Sequence, residues 1–389
     1  IISGSSVSAE GSGVVIARGD MRRWRSTIDG EIISLTVDDV DDDGIEEIFV
    51  VTPNDLRVYH YTKGLLEQLD AYDLPASLGV HAVNIADINM DGQNEIYLSA
   101  VDNNRFSSMV LVWSVQKGFR TVIESIGYGI RPLALPGEGL VLAGQAKAMM
   151  SDSFLQPGIF RLQVNWQNKT ITKGDPLTLP NDVNLFDFVL GDLDSDGLTE
   201  TIAVTRNMKM VVYGHDNRIL WQSEGEYGGS MRYFGSRWQK DNEKFPKGNF
   251  DQDADSSKLL EYMPVQLKVA DCNGDGVLDI ISASNQLTLD DVLKYFPNLR
   301  SFSSGKVVCL TWDNGGMKKL WETETLNGHV ADFDVVIQPE VGGIQDEGQD
   351  FRLVVGHISG KGLENLLSFG VDQNALLVYD CKITGQAQD

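Results

Sequence analysis

Apolar and polar residues alternate with period two in short runs along the chain, and each run stops at a cluster of Asp, Asn and Gly. "IISLTVDDV" is followed by "EEIFVV", "AVNIADI" by "NEIYLSA", "LFDFVLGDL" by "TETIAVT" and "VQLKVADC" by "LDIISAS". Alternation of this kind, broken by turn chemistry, predicts paired strands and not helices. After each pair come two more strand-like runs around another turn, as in "DLRVYHYTKGLLEQLDAY" and "KMVVYGHDNRILWQSE". The predicted unit is therefore a four-stranded antiparallel sheet.

The break inside each pair has a fixed spelling. "DVDDDGIEEI" begins at Asp39, "DINMDGQNEI" at Asp87, "DLDSDGLTET" at Asp192 and "DCNGDGVLDI" at Asp271. All four place oxygen-bearing side chains at loop positions 1, 3, 5 and 9 and Gly at position 6. Asp, Asn and Gly favour turns in any protein, but chance does not repeat one register four times. Hard cations such as Ca2+ take six to eight oxygen ligands at roughly 2.3 to 2.6 Å, supplied by alternate side chains and a backbone carbonyl of a tight turn.

The predicted ligand sets, with position 7 contributing its carbonyl, follow from the register. They are Asp39, Asp41, Asp43, Ile45 and Glu47 in the first loop and Asp87, Asn89, Asp91, Gln93 and Glu95 in the second. The third has Asp192, Asp194, Asp196, Leu198 and Glu200, and the fourth Asp271, Asn273, Asp275, Val277 and Asp279. About four Ca2+ are expected. The loops are not EF-hands, because position 12 is apolar or small (Val50, Leu98, Ala203, Ser282) where that motif needs a bidentate Glu.

Spacing of the loops reveals a repeat. Between the second and third lies room for a unit without a metal loop, and "GIRPLALPGEGLVLAGQ" with "GIFRLQVNWQNKTITKGDPLTL" supplies it. Another such unit starts at "VADFDVVIQP" and ends the chain with "NALLVYDCKI", one strand short. The N-terminal "MRRWRSTID" resembles the outer strands "RILWQSE" and "MKKLWETE" and can make up that deficit. Radially arrayed four-stranded units make a β-propeller. The expectation is an all-β propeller of six blades, or seven if "SGVVIARG" belongs to another, with its ring closed by the N-terminal strand. Residues 1–19 form an extension and 20–389 a single domain, with an insertion at about 225–262.

These D-x-[DN]-x-[DN]-G-x-x-[DE] hairpins resemble the FG-GAP repeats of the integrin alpha-subunit propeller and the VCBS-type repeats of bacterial surface and periplasmic proteins. The resemblance implies structural Ca2+ on one rim, held by loop positions 1, 3, 5, 7 and 9. It implies no integrin function, since the fold alone does not confer one. The units near 130 and 330 depart from the pattern and receive no metal.

The net charge of −24 disfavours nucleic acid and anionic bilayers, and no apolar run is long enough to span a membrane. "IISGSSVSAEGSG" lacks the pattern of a signal peptide. Three cysteines cannot all pair, and Cys309 with Cys381 reads as buried free thiols. Loops of modest affinity fill where Ca2+ is abundant, so the expected location is extracytoplasmic: periplasmic, cell-surface or secreted.

The five His residues are scattered, and no motif nominates a nucleophile. The function expected is a calcium-stabilised module that binds or scaffolds an unidentified protein or glycan. The alternative is a carbohydrate-active enzyme, since some polysaccharide lyases resemble this chain in carrying such calcium loops. The insertion is rich in aromatic and Arg residues, a mixture found at interface hot spots, and Tyr233, Phe234, Arg237 and Trp238 are the candidate partner contacts.

Overall fold

The structure is a computed structural model, and it describes residues 19–62, 64–149, 153–234, 261–288, 300–337, 349–360 and 374–383. Among these residues no helix occurs and every regular element is a strand. The first sheet runs Ser34–Asp38, Glu47–Val51, Asp55–Thr62, Leu65–Asp73, each strand antiparallel to the next. The second comprises Leu78–Ala86, Glu95–Asp102, Ser108–Val112 and Arg120–Ile126, with the short strand Arg105–Phe106 beside it. Gly129–Leu135, Gly139–Gln145, Phe160–Asn165 and Thr170–Pro176 form the third. Phe188–Gly191, Glu200–Val204, Met210–Tyr213 and Ile219–Gln222 form the fourth.

The remaining long strands join in one eight-stranded sheet. Its first half is Lys268–Ala270, Asp279–Leu287, Phe302–Asp313 and Gly316–Glu322. Its second half is Leu326–Ile337, Gln349–Ser359 and Ala375–Ile383, followed by the N-terminal strand Gly19–Thr27. That N-terminal strand pairs antiparallel with the last one, from Gly19 opposite Ile383 to Thr27 opposite Ala375. Among the described residues, ladder pairing joins the halves only where Ser304 pairs with Asn327 and Gly305 with Leu326, so we describe them as the fifth and sixth sheets.

Strand position decides composition. Glu47–Val51, Ser108–Val112 and Glu200–Val204 are buried at every residue, because neighbouring sheets cover both faces, and such strands read as continuous apolar runs. Fourth strands such as Leu65–Asp73 and Ile219–Gln222 are largely exposed.

The apolar cores lie between sheets. Phe49 and Val58 of the first pack with Ile96 and Leu111 of the second, Tyr97 and Val110 of the second with Ile130 and Leu142 of the third. Leu133 of the third packs with Phe188 and Val211 of the fourth, and Ile202 and Val212 of the fourth with Ile280 and Leu310 of the fifth. Val307 of the fifth meets Phe333 and Leu353 of the sixth. Leu35 and Val50 of the first meet Val354 and Leu376 of the sixth. Each fully buried side chain of this size contributes about 1.5–3 kcal/mol.

Adjacent sheets are stitched by buried polar side chains that engage the first strand of at least one of them. Asp332 Oδ2 accepts from the Ser34 hydroxyl at 2.7 Å and from Leu35 N–H at 3.1 Å. Asp334 Oδ2 repeats the arrangement two residues on, with the Thr36 hydroxyl at 2.9 Å and Val37 N–H at 3.0 Å. Arg131 Nη1 donates to the carbonyls of Leu185 and Phe188 at 2.9 and 2.7 Å. Asn285 donates to the Gly229 and Val330 carbonyls and accepts from Val330 N–H at 2.9 Å.

Residues 235–260 fall outside the described set, but the ribbon that brackets them is clear. Tyr233–Phe234 pairs with Glu261–Tyr262. Phe234 is 1% exposed; its ring stacks on Phe154 at 5.3 Å and also meets His81, Phe106 and Phe186. It packs the interior and offers a partner no surface, which corrects its assignment as a contact residue. Nearby, burial pushes the His329 imidazole down to about 4, with His357 and Arg232 acting in the same direction.

Phe234→Ala should lower stability by about 3–5 kcal/mol, read as a drop in melting temperature; an unchanged transition would show that the ring is not an anchor. A His pKa depressed by folding supplies stability that is complete above about 6.5 and is lost as pH falls through the folded value. Relative to His329→Gln, the wild type should therefore lose about 2 kcal/mol between pH 7 and pH 5. Parallel stability–pH curves for the two proteins would refute this.

Candidate metal centres

Each acidic loop joins the first and second strands of its sheet, so the loops share one structural position. Their backbones also agree. Position 4 is left-handed in every loop (Asp42 φ 58°, Met90 59°, Ser195 59°, Gly274 74°), and so is the position-6 glycine (Gly44 83°, Gly92 83°, Gly197 84°, Gly276 85°). The glycine is required there because a Cβ resists this conformation.

The same hydrogen bonds recur. Position 1 accepts from the position-6 N–H: Asp39, Asp87 and Asp192 each at 2.9 Å and Asp271 at 2.8 Å. Position 5 accepts from the position-7 N–H: Asp43 from Ile45, Asp91 from Gln93, Asp196 from Leu198 and Asp275 from Val277, at 2.7–2.9 Å. Position 9 accepts from the position-2 N–H: Glu47 from Val40 at 2.8 Å, Glu95 from Ile88 at 3.2 Å, Glu200 from Leu193 at 2.9 Å and Asp279 from Cys272 at 3.0 Å. Ile45 and Leu198 turn their side chains to solvent, so any ligand they give is a carbonyl.

Electrostatics make these loops costly when bare. The position-9 carboxylates are all buried, Glu47 and Asp279 completely. Burial raises the pKa of Glu47, Glu95 and Glu200 above the ordinary carboxylate range and carries Asp279 up to about 7. Asp41 is raised by desolvation and by the neighbouring Asp43 charge. Buried oxygens Asp41 Oδ1, Asp192 Oδ1 and Asp279 Oδ1 have no hydrogen-bond partner. Oxygens of Asp39, Asp41 and Asp43 lie within 4.8 Å of one another, as do those of Asp87, Asp91 and Glu95 and those of Asp192, Asp194 and Glu200. A hard divalent cation suits this donor set, with Asn89 and Asn273 as neutral oxygen donors.

Supporting residues escaped the sequence reading. His60 Nε2 lies 2.6 Å from Glu47 Oε1, and the Tyr97 hydroxyl donates to Glu95 Oε2 at 2.9 Å. The signal for Tyr97 was its place two residues beyond Glu95 on one strand face; His60 sits opposite Glu47 in the ladder, a register that no local pattern encodes.

A cavity of about 510 Å3 lies apart from the loops, lined among others by Glu31, His81, Ser230, Arg232, Tyr233 and His329. Arg232 Nη1 donates to the His81 carbonyl at 3.1 Å and faces Asp332 at 3.5 Å, and Nη2 donates to the Pro264 carbonyl at 3.2 Å. Tyr233 thus stands at a concave surface, whereas Phe234 is interior; Arg237 and Trp238 lie outside the described residues.

Residues 39–98 match the family model of the FG-GAP-like repeat, a stretch that holds the first two acidic loops. No curated protein matches the chain. Among solved structures, BBS1N crystallised in complex with ARL6DN is similar at 11% identity, over 94% of this chain and 96% of that one, with a TM-score of 0.42. AofleA from Arthrobotrys oligospora is similar at 7% identity over 94% of each chain, with a TM-score of 0.40. A glucose dehydrogenase is similar at 12% identity over 93% of this chain and 99% of that one, also at 0.40. The repeat match over residues 39–98 and the succession of four-stranded antiparallel sheets, consistent with propeller blades, support an FG-GAP-repeat β-propeller.

Proposed function

We propose that the chain is a calcium-stabilised propeller of six blades, closed by its N-terminal strand, that works outside the cytoplasm as a binding or scaffolding module for a protein or glycan. The observation that carries the calcium reading is the fourfold repetition of one loop, hydrogen bond for hydrogen bond, around carboxylates too buried to be stable unaccompanied. Bound Ca2+ supplies the positive charge that lets them ionise. The chain's own residues do the rest: the position-1 and position-5 carboxylates fix the turn, and position 9 ties it to the second strand. Six blades are favoured by the apolar core shared between each sheet and the next, including the sixth and the first. The extracytoplasmic location rests on calcium supply.

For the partner, the reading is a concave site at the 510 Å3 cavity, where Tyr233 and Arg232 combine an aromatic ring with a cation. No acidic-loop residue lines it, so the metal's role here is structural. The alternative, a lyase-like enzyme, calls for catalytic groups near the ion.

At calcium concentrations 100 to 1,000 times Kd, each occupied loop should add roughly 3 to 4 kcal/mol, and excess EGTA should lower the melting temperature accordingly. Asp43→Ala should remove one loop's share, whereas Asp42→Gly should not, since Asp42 points to solvent from a left-handed position that Gly274 fills in the fourth loop. A melting curve indifferent to EGTA, or equal effects of the two substitutions, would overturn the metal register.

A panel of glycans, polyuronates and candidate proteins, read for both binding and chain cleavage, tests the module reading. Saturable binding without cleavage, weakened by Tyr233→Ala with the melting transition intact, is the expected result. Cleavage of a polyuronate would establish the enzyme in its place.

A further inference from the structure

The fourth acidic loop differs from its siblings at positions 2 and 9. The second loop carries acids at positions 1, 5 and 9, and Asp87, Asp91 and Glu95 converge. The fourth carries acids at the same positions, yet its position-9 residue is Asp279, one methylene shorter than Glu95. A carboxylate oxygen of Asp279 gathers instead with the sulfurs of Cys272 and Cys309, all within 4.8 Å of one another.

Sequence and register place these groups together. Cys272 stands at loop position 2, where the other loops have Val40, Ile88 and Leu193. Cys309 lies on the third strand opposite Ile281, and Ile281 shares a strand face with Asp279. The side chains of Cys272, Cys309 and Asp279 are 0% exposed, and both thiols are free. Asp279 Oδ2 accepts from Cys272 N–H, while Oδ1 is buried with no hydrogen-bond partner; the nearby Thr311 hydroxyl favours the ionised form without bonding Oδ1. A fully buried carboxylate beside two thiols, with one oxygen lacking any hydrogen-bond partner, carries a desolvation cost that a bound cation would offset.

We propose that Cys272, Cys309 and Asp279 form a second kind of metal site, for a thiophilic divalent ion of the Zn2+ class, and that this ion competes with calcium for Asp279. Thiolate donors select such ions over Ca2+. With Zn–S at about 2.3 Å and tetrahedral angles, two sulfurs sit about 3.8 Å apart, inside the observed spread. Binding is ligation without redox change: each thiol gives its proton to solvent, each sulfur donates a lone pair, and Asp279 donates through its unpartnered oxygen. The first three acidic loops have no cysteine and are indifferent to it.

Because the three side chains are inaccessible, the ion is loaded as the chain folds. The test unfolds the full chain under reductant, refolds it with excess Ca2+ and one equivalent of Cd2+, and removes free metal. One Cd2+ per chain should remain, with a thiolate-to-cadmium charge-transfer band, and bound calcium should fall by one equivalent relative to protein refolded without Cd2+. Cys272→Ala and Cys309→Ala should weaken Cd2+ retention by at least about 100-fold, beyond the effect of an outer-shell residue, while Cys381→Ala keeps the band. The calcium count is taken on the wild type and does not depend on any variant folding. Cadmium retained without the band places the ion in the acidic loops and overturns the proposal, as does a band that survives Cys309→Ala or a failure to retain Cd2+ at all. Repeating the loading without Ca2+ separates this site from the calcium reading, since the band must appear in either case.

Discussion

The first strand of each sheet has one edge that its own sheet leaves largely unpaired, and the architecture depends on how those edge groups are satisfied. An open edge also invites pairing with foreign strands. Here buried side chains bridge the gap: Asp332 and Asp334 reach from the sixth sheet to Leu35 and Val37 of the first, and the Ser99 hydroxyl accepts from Ile130 N–H between the second and third. Asn285 does the same between the fifth and sixth. Apolar burial between sheet faces is non-directional and would tolerate sliding; these directional bonds fix how each sheet sits against the next. Charge is the price of this solution, and Lys268 at 2.7 Å from Asp334 and Arg232 beside Asp332 offset part of it.

The acidic loops extend the same logic to the turn that follows those strands. Each loop ties position 9, the buried first residue of the second strand, to position 2 beyond the first strand. Burial therefore reaches directly into the ligand set. Asp38, just ahead of the first loop, is itself pushed up to about 6 by burial and the nearby Asp334, so the carboxylates at the inner edge and those in the loop feel one field. A cation held at the loop would relieve both and so couple metal binding to the packing of the sheet interior.

Much of this was legible in the chain. Period-two runs and the D-x-[DN]-x-[DN]-G spelling located the sheets, including the two without acidic loops, and the likeness of "MRRWRSTID" to other outer strands anticipated its pairing with Ala375–Ile383. Local pattern encodes which face of a strand is apolar and which residue can turn. It does not encode which sheets meet, so Asp332, Asn285 and His60 looked like ordinary polar positions, and Phe234 looked like one of several surface aromatics until its partners Phe154 and Phe106 were brought to it from other sheets. Cys272 was hidden for a related reason, because the thiol facing it comes from a strand more than thirty residues downstream.

Repetition makes departures from the repeat informative. Four loops share a backbone and a hydrogen-bond scheme, so a difference among them reflects a difference in side chains alone. Replacing Glu by Asp at position 9 withdraws the carboxylate toward the strand by one methylene, and placing Cys at position 2 and on the facing strand puts sulfur where the siblings have hydrocarbon. Either change alone would leave a slightly weaker loop or a pair of inert core thiols. Together they gather a carboxylate oxygen of the loop with two thiols, while one Asp279 oxygen stays without a hydrogen-bond partner, and that coincidence within a repeated scaffold is the ground for the proposed site.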